Sequence, residues 1–262
     1  MNSLGALLRF FIGSVRANVQ VALEYRTSLI SQALGMYLSN GMWLVFFAAY
    51  FDRFSLPGWS RNDVITLWAM AAGAFGFAGM FFGNAARLSG FIVRGELDFY
   101  LALPKPPLLH VLISRMSLVS LGDLAFALVA FELTHPTLVQ RGLFVVCVIT
   151  AAAITVAFAV IAGSLAFWLG NSETAAGQLY NALINFSTYP SQLFKGAALV
   201  ITRLIIPAAF VTGVPVELLR TPRWTLVLEE LGAAAVFITL AVTAFHFGLR
   251  RYTSGNVLAL RD

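Results

Sequence analysis

The stretch LFVVCVITAAAITVAFAVIAGSLAFW at residues 143–168 contains no Asp, Glu, Lys or Arg. A bilayer core of ~30 Å is crossed by a helix of ~20 apolar residues, so this run is long enough to span a membrane. It also contains Cys147, the single cysteine of the chain, which excludes an intrachain disulfide. These residues therefore predict a transmembrane helix.

The rest of the chain repeats this pattern. Four further runs lack charged residues, at 27–51, 64–86, 174–194 and 231–249. Of all 262 residues, 59% are hydrophobic and 11% are charged, against about 25% charged in soluble domains. The net charge of +5 does not indicate nucleic-acid binding, because the 17 basic residues cluster at the ends of apolar runs. The composition excludes an ordinary soluble globule and indicates a polytopic membrane protein.

We predict an all-α integral membrane protein in which residues 1–262 form one membrane domain. The six expected crossings are residues 28–51, 64–88, 108–131, 143–168, 174–194 and 224–249. The third is the least regular, since Arg115 and Asp123 interrupt it. No other segment between the second and fourth crossings is apolar enough to cross.

Two apolar segments are not predicted to cross. Residues 3–25 carry apolar side chains on one face, including Leu4, and Arg9 and Arg16 elsewhere, which predicts an amphipathic helix in the membrane interface. A poorly inserted first crossing is the alternative. Residues 195–220 have only 13 consecutive uncharged residues and two prolines, so they predict a re-entrant or surface-lying hairpin.

Six crossings place both termini on one side of the membrane. Ten basic residues, the last being Arg261, then fall on the terminal side and seven on the other. Because basic residues are enriched in cytoplasmic loops, this bias predicts cytoplasmic termini and a cytoplasmic 87–115 connection.

A polar stripe marks the fifth predicted crossing. Its members recur at spacings of three, four and three residues: Gln178, Asn181, Asn185 and Thr188. Amides facing lipid would lack hydrogen-bond partners, so the stripe must face protein or water. Hydrogen bonding between helices and the lining of a substrate path both explain it.

Asp123 is a carboxylic acid inside a predicted crossing, where such residues are costly and commonly functional. It could serve as the proton or sodium site of an ion-coupled secondary transporter. Alternatively, Ser120, one turn earlier, could simply hold it in place.

The connection between the second and third crossings contains GELDFYLALPKPP from residue 95 onward. The prolines break any helix begun at Glu96, so a short helix is expected over 96–102. Its exposed aromatic residues suggest a docking surface for a soluble partner, or a helix lying flat on lipid headgroups.

Motifs for catalysis are missing from the sequence. It has no GxxxxGK[ST] phosphate-binding loop, no HExxH, no paired cysteines and no GxSxG. The sequence therefore predicts neither an enzyme nor a metal site. Any ATP-driven work would need another polypeptide.

The order of segments resembles the membrane subunits of ABC-2 family exporters. The most specific pieces are GELDFYLALP followed by LLHVLISR, and the YP and IIPAAFV pieces of the hairpin. The resemblance implies that residues 95–103 form a coupling helix that docks on an ATPase, here named the coupling segment. The residues expected to carry that contact are Gly95, Glu96, Leu97, Asp98, Phe99, Tyr100 and Leu101.

The resemblance also implies partners. Two copies of a separately encoded ATPase would hold ATP and magnesium, so this chain itself would hold no cofactor. A second permease, identical or homologous, would complete a pathway for an amphipathic or hydrophobic substrate in the inner membrane of a bacterial cell. Residues 195–220 would form a lid over the exit.

Overall fold

The computed structural model describes residues 3–53 and 58–253. Part of the connection between the first two predicted crossings, at 54–57, and the residues beyond Thr253, with Arg261, lie outside the described residues, as does the side chain of Leu4. Every regular element in these two ranges is a helix. The prediction of an all-helical protein is confirmed.

Thirteen α-helices follow one another along the described chain. They are α1 Ser3–Glu24, α2 Arg26–Arg53, α3 Arg61–Phe81, α4 Leu88–Val93, α5 Leu97–Leu101, α6 Pro107–Ile113, α7 Leu121–Glu132, α8 Leu138–Ser164, α9 Ala166–Leu169, α10 Glu173–Ser187, α11 Ala197–Val200, α12 Val214–Arg220 and α13 Trp224–Leu249. Short 3-10 turns and two π-helical turns join some of them.

Four of the described helical stretches are long and apolar enough to cross a membrane: Gly5–Glu24, Arg61–Phe81, Leu138–Leu169 and Trp224–Leu249. Two bent pairs raise the number to as many as six. Helix α2 has 28 residues but is not among the four. These helices support the prediction of a multi-pass membrane protein. The placement of α1 in the membrane interface and that of α2 across the bilayer remain predictions.

The centre of the molecule is α8, which packs against α3, α10 and α13. Small residues allow the close approach of these helices. An added Cβ on Gly73 would lie 2.8 Å from the Val148 side chain, and one on Gly76 would lie 2.9 Å from Asp123 Cβ. The glycines of the second predicted crossing therefore serve packing.

The third predicted crossing is not one straight helix. α6 and the helical stretch that includes α7 meet at a 65° bend. Asn84 donates hydrogen bonds to the Val111 carbonyl oxygen at 3.0 Å and to Ser114 Oγ at 2.9 Å, next to this break. The Val111 carbonyl oxygen also accepts hydrogen bonds from the Ser114 backbone N–H at 3.4 Å and from Ser114 Oγ at 2.9 Å, so the backbone at the break has its hydrogen bonds within the protein, as membrane-embedded backbone requires.

The helix at the fifth predicted crossing, 174–194, is shorter than that crossing and is not among the candidate membrane spans. α10 ends at Ser187, after 15 residues. The residue before a proline is forced away from helical geometry, and Tyr189 precedes Pro190. The helix thus ends seven residues before the predicted boundary.

The segment predicted as a hairpin is sharply bent. Ala197–Ile205 and Ala209–Arg220 meet at 79°, with Pro207 at the break. Its end is fixed to neighbouring helices, because Arg220 pairs with Asp63 at the start of α3. The Nη2 to Oδ2 distance is 2.6 Å and the Nε to Oδ1 distance is 2.9 Å. Gln140 of α8 also donates to the Leu219 carbonyl oxygen at 2.9 Å.

Candidate functional site

A cavity of about 420 Å³ lies between α2, α3, α7 and α10. Its polar lining consists of Ser39, Asn40, Asp123, Asn185 and Thr188. Its aromatic lining consists of Trp43, Phe47, Trp68, Phe75 and Tyr189. This combination, a mostly apolar wall with a few convergent polar groups, is typical of small-molecule sites. We name it the α2–α10 cavity.

Asp123 is 8% exposed and reaches this cavity from the first turn of α7. Its Oδ1 accepts a hydrogen bond from Asn40 Nδ2 of α2 at 2.6 Å. Ser120, the alternative partner of Asp123, places its Oγ beside Gly79 of α3. Asn40 was missed because 83 residues separate it from Asp123, and no local spacing links the two.

The aromatic wall is a connected cluster. The rings of Trp43 and Trp68 stack with centroids 6.1 Å apart and planes 8° apart. Phe47 lies 5.4 Å from Trp68 and 6.4 Å from Tyr189, again between ring centroids. The wall therefore joins α2, α3 and the end of α10.

The predicted polar stripe divides into two parts. Asn185 and Thr188 line the α2–α10 cavity together with Asp123. Gln178 and Asn181 do not line it, and both are exposed on the surface of the single chain. Of the four stripe residues and Asp123, the structure thus brings Asp123, Asn185 and Thr188 into one cavity.

The coupling segment forms a short helix, α5, at residues Leu97–Leu101. Leu97 is fully buried, whereas Phe99 is 66% exposed. Tyr100 is held by two contacts: its hydroxyl lies 3.0 Å from Ser114 Oγ, and its ring packs edge-on against the His110 ring with centroids 5.1 Å apart. Gly95 has a φ of +72°, which favours glycine and sets the turn into the helix. The segment is anchored on one side and presents an aromatic side chain on the other.

Arg94 links the coupling segment to α10. Its Nε lies 2.6 Å from Glu96 Oε1, and its Nη1 lies 3.1 Å from Glu173 Oε2. The hydrogen bond with Glu96, supported by the charges of Glu96 and Glu173, raises the pKa of Arg94 above its usual value. Glu173 is the first residue of α10, so this arginine joins the start of the cavity-lining helix to α5.

Tyr252, just past α13, closes the other side of the coupling segment. Its ring lies 6.1 Å from the Phe167 ring centroid, and its hydroxyl faces Gly95. Burial, together with interaction with Asp98, raises the pKa of Tyr252 to about 12. The residue after the last helix and the coupling segment are therefore in contact.

Residues 35–256 match a known protein family, described as ABC-2 family transporter protein. The chain belongs to the ABC-2 family. The match includes the coupling segment and every residue named above as lining the α2–α10 cavity. No curated protein and no solved structure matches the chain significantly.

Membership makes this chain the membrane component of an ABC-2 transporter and confirms the resemblance seen in the sequence. Proteins of this family are typically not catalytic and usually carry no cofactor. Within residues 3–53 and 58–253, no three His, Cys, Asp or Glu side chains are grouped so that they could hold a metal ion.

Proposed function

We propose that this ABC-2 protein is the transmembrane permease subunit of an ATP-binding-cassette exporter. Two separately encoded ATPase subunits bind ATP and magnesium and dock on the coupling segments of two permease chains. The observation that carries the proposal is the connection from α5 through Arg94 to Glu173, the first residue of α10. This connection joins the docking helix directly to a helix that lines the α2–α10 cavity.

The exposed amides of α10 support a second permease chain. Gln178 and Asn181 lie on the surface of the single chain, on a helix that is predicted to cross the membrane. Hydrocarbon offers these groups no hydrogen-bond partners, so a protein or aqueous surface must cover them. A partner permease, identical or homologous, supplies that surface, and the substrate path runs between the two chains.

The mechanism follows from the rigidity of short helices. Closure of the ATPases on ATP pushes α5, and the Arg94 pairs transmit the displacement to α10. α10 is 15 residues long, about 22 Å at 1.5 Å per residue, so a movement at Glu173 reaches Asn185 with little loss. The cavity then alternates between inward and outward openings as a two-state element. An amphipathic or hydrophobic substrate suits its lining.

The orientation follows from the basic residues. Cytoplasmic termini place α5 and Arg94 where a cytoplasmic ATPase reaches them. The bent pair that ends at Arg220 then lies on the opposite face, as an extracytoplasmic lid. A bacterial inner membrane is the location that this arrangement fits.

The first experiment is gentle solubilisation from the native membrane, followed by quantitative mass spectrometry of what co-purifies. A stoichiometric phosphate-loop ATPase, with or without a second permease chain, is the expected result. A lone oligomer that moves a solute down an ion gradient would contradict the exporter and favour an ion-coupled secondary transporter that uses Asp123.

A pair of variants separates these two functions. The Glu96→Ala, Asp98→Ala double variant is expected to keep its fold and to uncouple ATP hydrolysis from export. If this variant transports normally while Asp123→Asn does not, the ion-coupled transporter is the correct assignment. Replacing Asn181 and Asn185 by leucine is expected to change transport rate or substrate range more than the melting temperature.

A further inference from the structure

The charge of the α2–α10 cavity is one-sided. Asp123 is its single acidic lining residue, and no Lys, Arg or His lines it within the described chain. Of the 14 described lining residues, five are polar or charged and nine are apolar or aromatic. An anionic ligand would face a carboxylate with no compensating cation, so the lining selects against anions.

The protein uses only part of the hydrogen-bonding capacity of the Asp123 carboxyl group. Its Oδ1 accepts from Asn40, and within the described residues no other hydrogen bond or ion pair reaches its carboxyl group. An ionised carboxylate can accept about four hydrogen bonds or pair with a cation. A carboxylate that is 8% exposed and has one amide partner leaves most of this capacity for a ligand.

The aromatic wall faces the same space. The Trp43 and Trp68 rings stack on each other, and Phe47 and Tyr189 extend the wall. Aromatic faces attract cations, by about 0.5–2 kcal/mol each, and also cover apolar groups. Trp43 remains 50% exposed in the single chain, so its indole is accessible to a ligand.

We propose that the α2–α10 cavity binds a hydrophobic organic cation, with its positive centre at Asp123 and its apolar body against the Trp43 and Trp68 wall. The proposal rests on the proposed permease function and gives it a substrate class. A volume of about 420 Å³ falls within the range of about 300–1,000 Å³ typical of small-molecule sites. A Ca²⁺ or Mg²⁺ ion fits poorly, because such ions need six or more oxygen ligands and most of the lining is apolar.

The test is a binding measurement on the full chain, together with whatever subunits co-purify, in zwitterionic lipid nanodiscs. The probes are naphthylmethyl-trimethylammonium and its neutral tert-butyl isostere, which match in size and differ in charge. Equilibrium dialysis against empty nanodiscs removes the contribution of the lipid. Saturable binding of the cation, at least ~10-fold tighter than that of the isostere, is expected. Equal affinities, or no saturable binding of the cation, overturn the proposal without any variant.

Variants then locate the site. Asp123→Asn is expected to abolish the preference for the cation, while Glu217→Gln, an exposed carboxylate outside the cavity, leaves it within about twofold. Trp43→Leu is expected to weaken cation binding by about 2- to 30-fold, the range of one cation–π contact. Trp224→Leu, at an exposed indole far from the cavity lining, is its matched control. An unchanged preference in folded Asp123→Asn and Trp43→Leu protein contradicts the site.

This assay uses neither nucleotide nor transport. A chain that co-purifies with an ATPase and ignores the cation loses only the substrate class. A chain that binds the cation and has no ATPase partner loses only the permease assignment. The two failures are therefore distinguishable.

Discussion

Two arginines hold opposite ends of this molecule in different ways. Arg220 meets Asp63 through a hydrogen bond from Nε to Oδ1 and an ion-pair contact between Nη2 and Oδ2, and the Asp63 side chain is only 12% exposed. Arg94 pairs with Glu96 and Glu173, and the side chains of all three residues are about half exposed. Partly buried, hydrogen-bonded ion pairs stabilise a fold, whereas exposed pairs contribute ~0–1 kcal/mol. The first arginine fastens the bent segment, and the second connects the coupling segment to α10 with little effect on stability.

The largest effect is expected at the Arg220 end. Arg220→Ala leaves the Asp63 carboxylate partly buried without its cation, so the free energy of unfolding should fall by about 2 kcal/mol. Unfolding by SDS titration measures this loss. Arg203→Ala, which removes an exposed pair with Glu229 at 3.3 Å, is the matched control and should cost under ~1 kcal/mol. Equal losses in the two variants would show that burial of the pair is unimportant.

A second prediction concerns the docking face at the Arg94 end. Phe99 is 66% exposed, so Phe99→Ala should leave the melting temperature unchanged. Loss of an aromatic anchor commonly costs 1–2 kcal/mol in an interface, so affinity for the ATPase should fall about 10-fold. Surface plasmon resonance with the co-purified ATPase measures it. Phe247→Ala, an exposed phenylalanine of the last helix, controls for general effects, and an equal loss there would argue against docking at α5.

A third prediction concerns the ion pairs of Arg94, which can be removed by substitution without unfolding the chain. Arg94→Gln should change stability by less than ~1 kcal/mol and reduce transport per ATP hydrolysed by about threefold. The ratio is measured in proteoliposomes by parallel assays of phosphate release and export. Arg141→Gln breaks an equally exposed pair with Glu132 and should leave the ratio unchanged. Normal coupling in Arg94→Gln would remove this arginine from the transmission route.

A higher salt concentration should have the smallest effect. It should again weaken the exposed Arg94 pairs more than the partly buried Arg220 pair. Raising ionic strength from 0.15 M to 1 M shortens the Debye length from ~8 to ~3 Å, which weakens exposed pairs more than buried ones. Coupling through Arg94 should fall by less than about twofold, while the unfolding midpoint stays constant. A midpoint that drops steeply with salt would mean that the Arg220 pair is also screened.

The sequence predicted features that depend on local pattern. Charge-free runs identified the long helices, and α13 covers the residues expected for the last crossing. The pieces GELDFYLALP and IIPAAFV indicated the family that residues 35–256 match. These features are readable because hydropathy and short motifs act between residues close in the chain.

Long-range contacts were not readable in the same way. The partner of Asp123 is Asn40, in another helix, and the break after α6 is supported by Asn84. Asn40 lies within an apolar helix and Asn84 in the turn after α3, and an amide at either kind of position has many possible partners. The sequence also indicated the polar stripe from Gln178 to Thr188. Which of its members share a cavity with Asp123 became clear only from the packing of the helices, including that of α2 against α7.

Cys147 gives this protein a practical advantage for spectroscopy. It is the single cysteine of the chain and is 1% exposed in the middle of α8. Thiol reagents reach buried sulfur slowly, so the natural chain is a nearly silent background. Spin labels or fluorophores on cysteines introduced at exposed positions of α5 and α10 can therefore report the distance between these helices during turnover, without first removing a native residue.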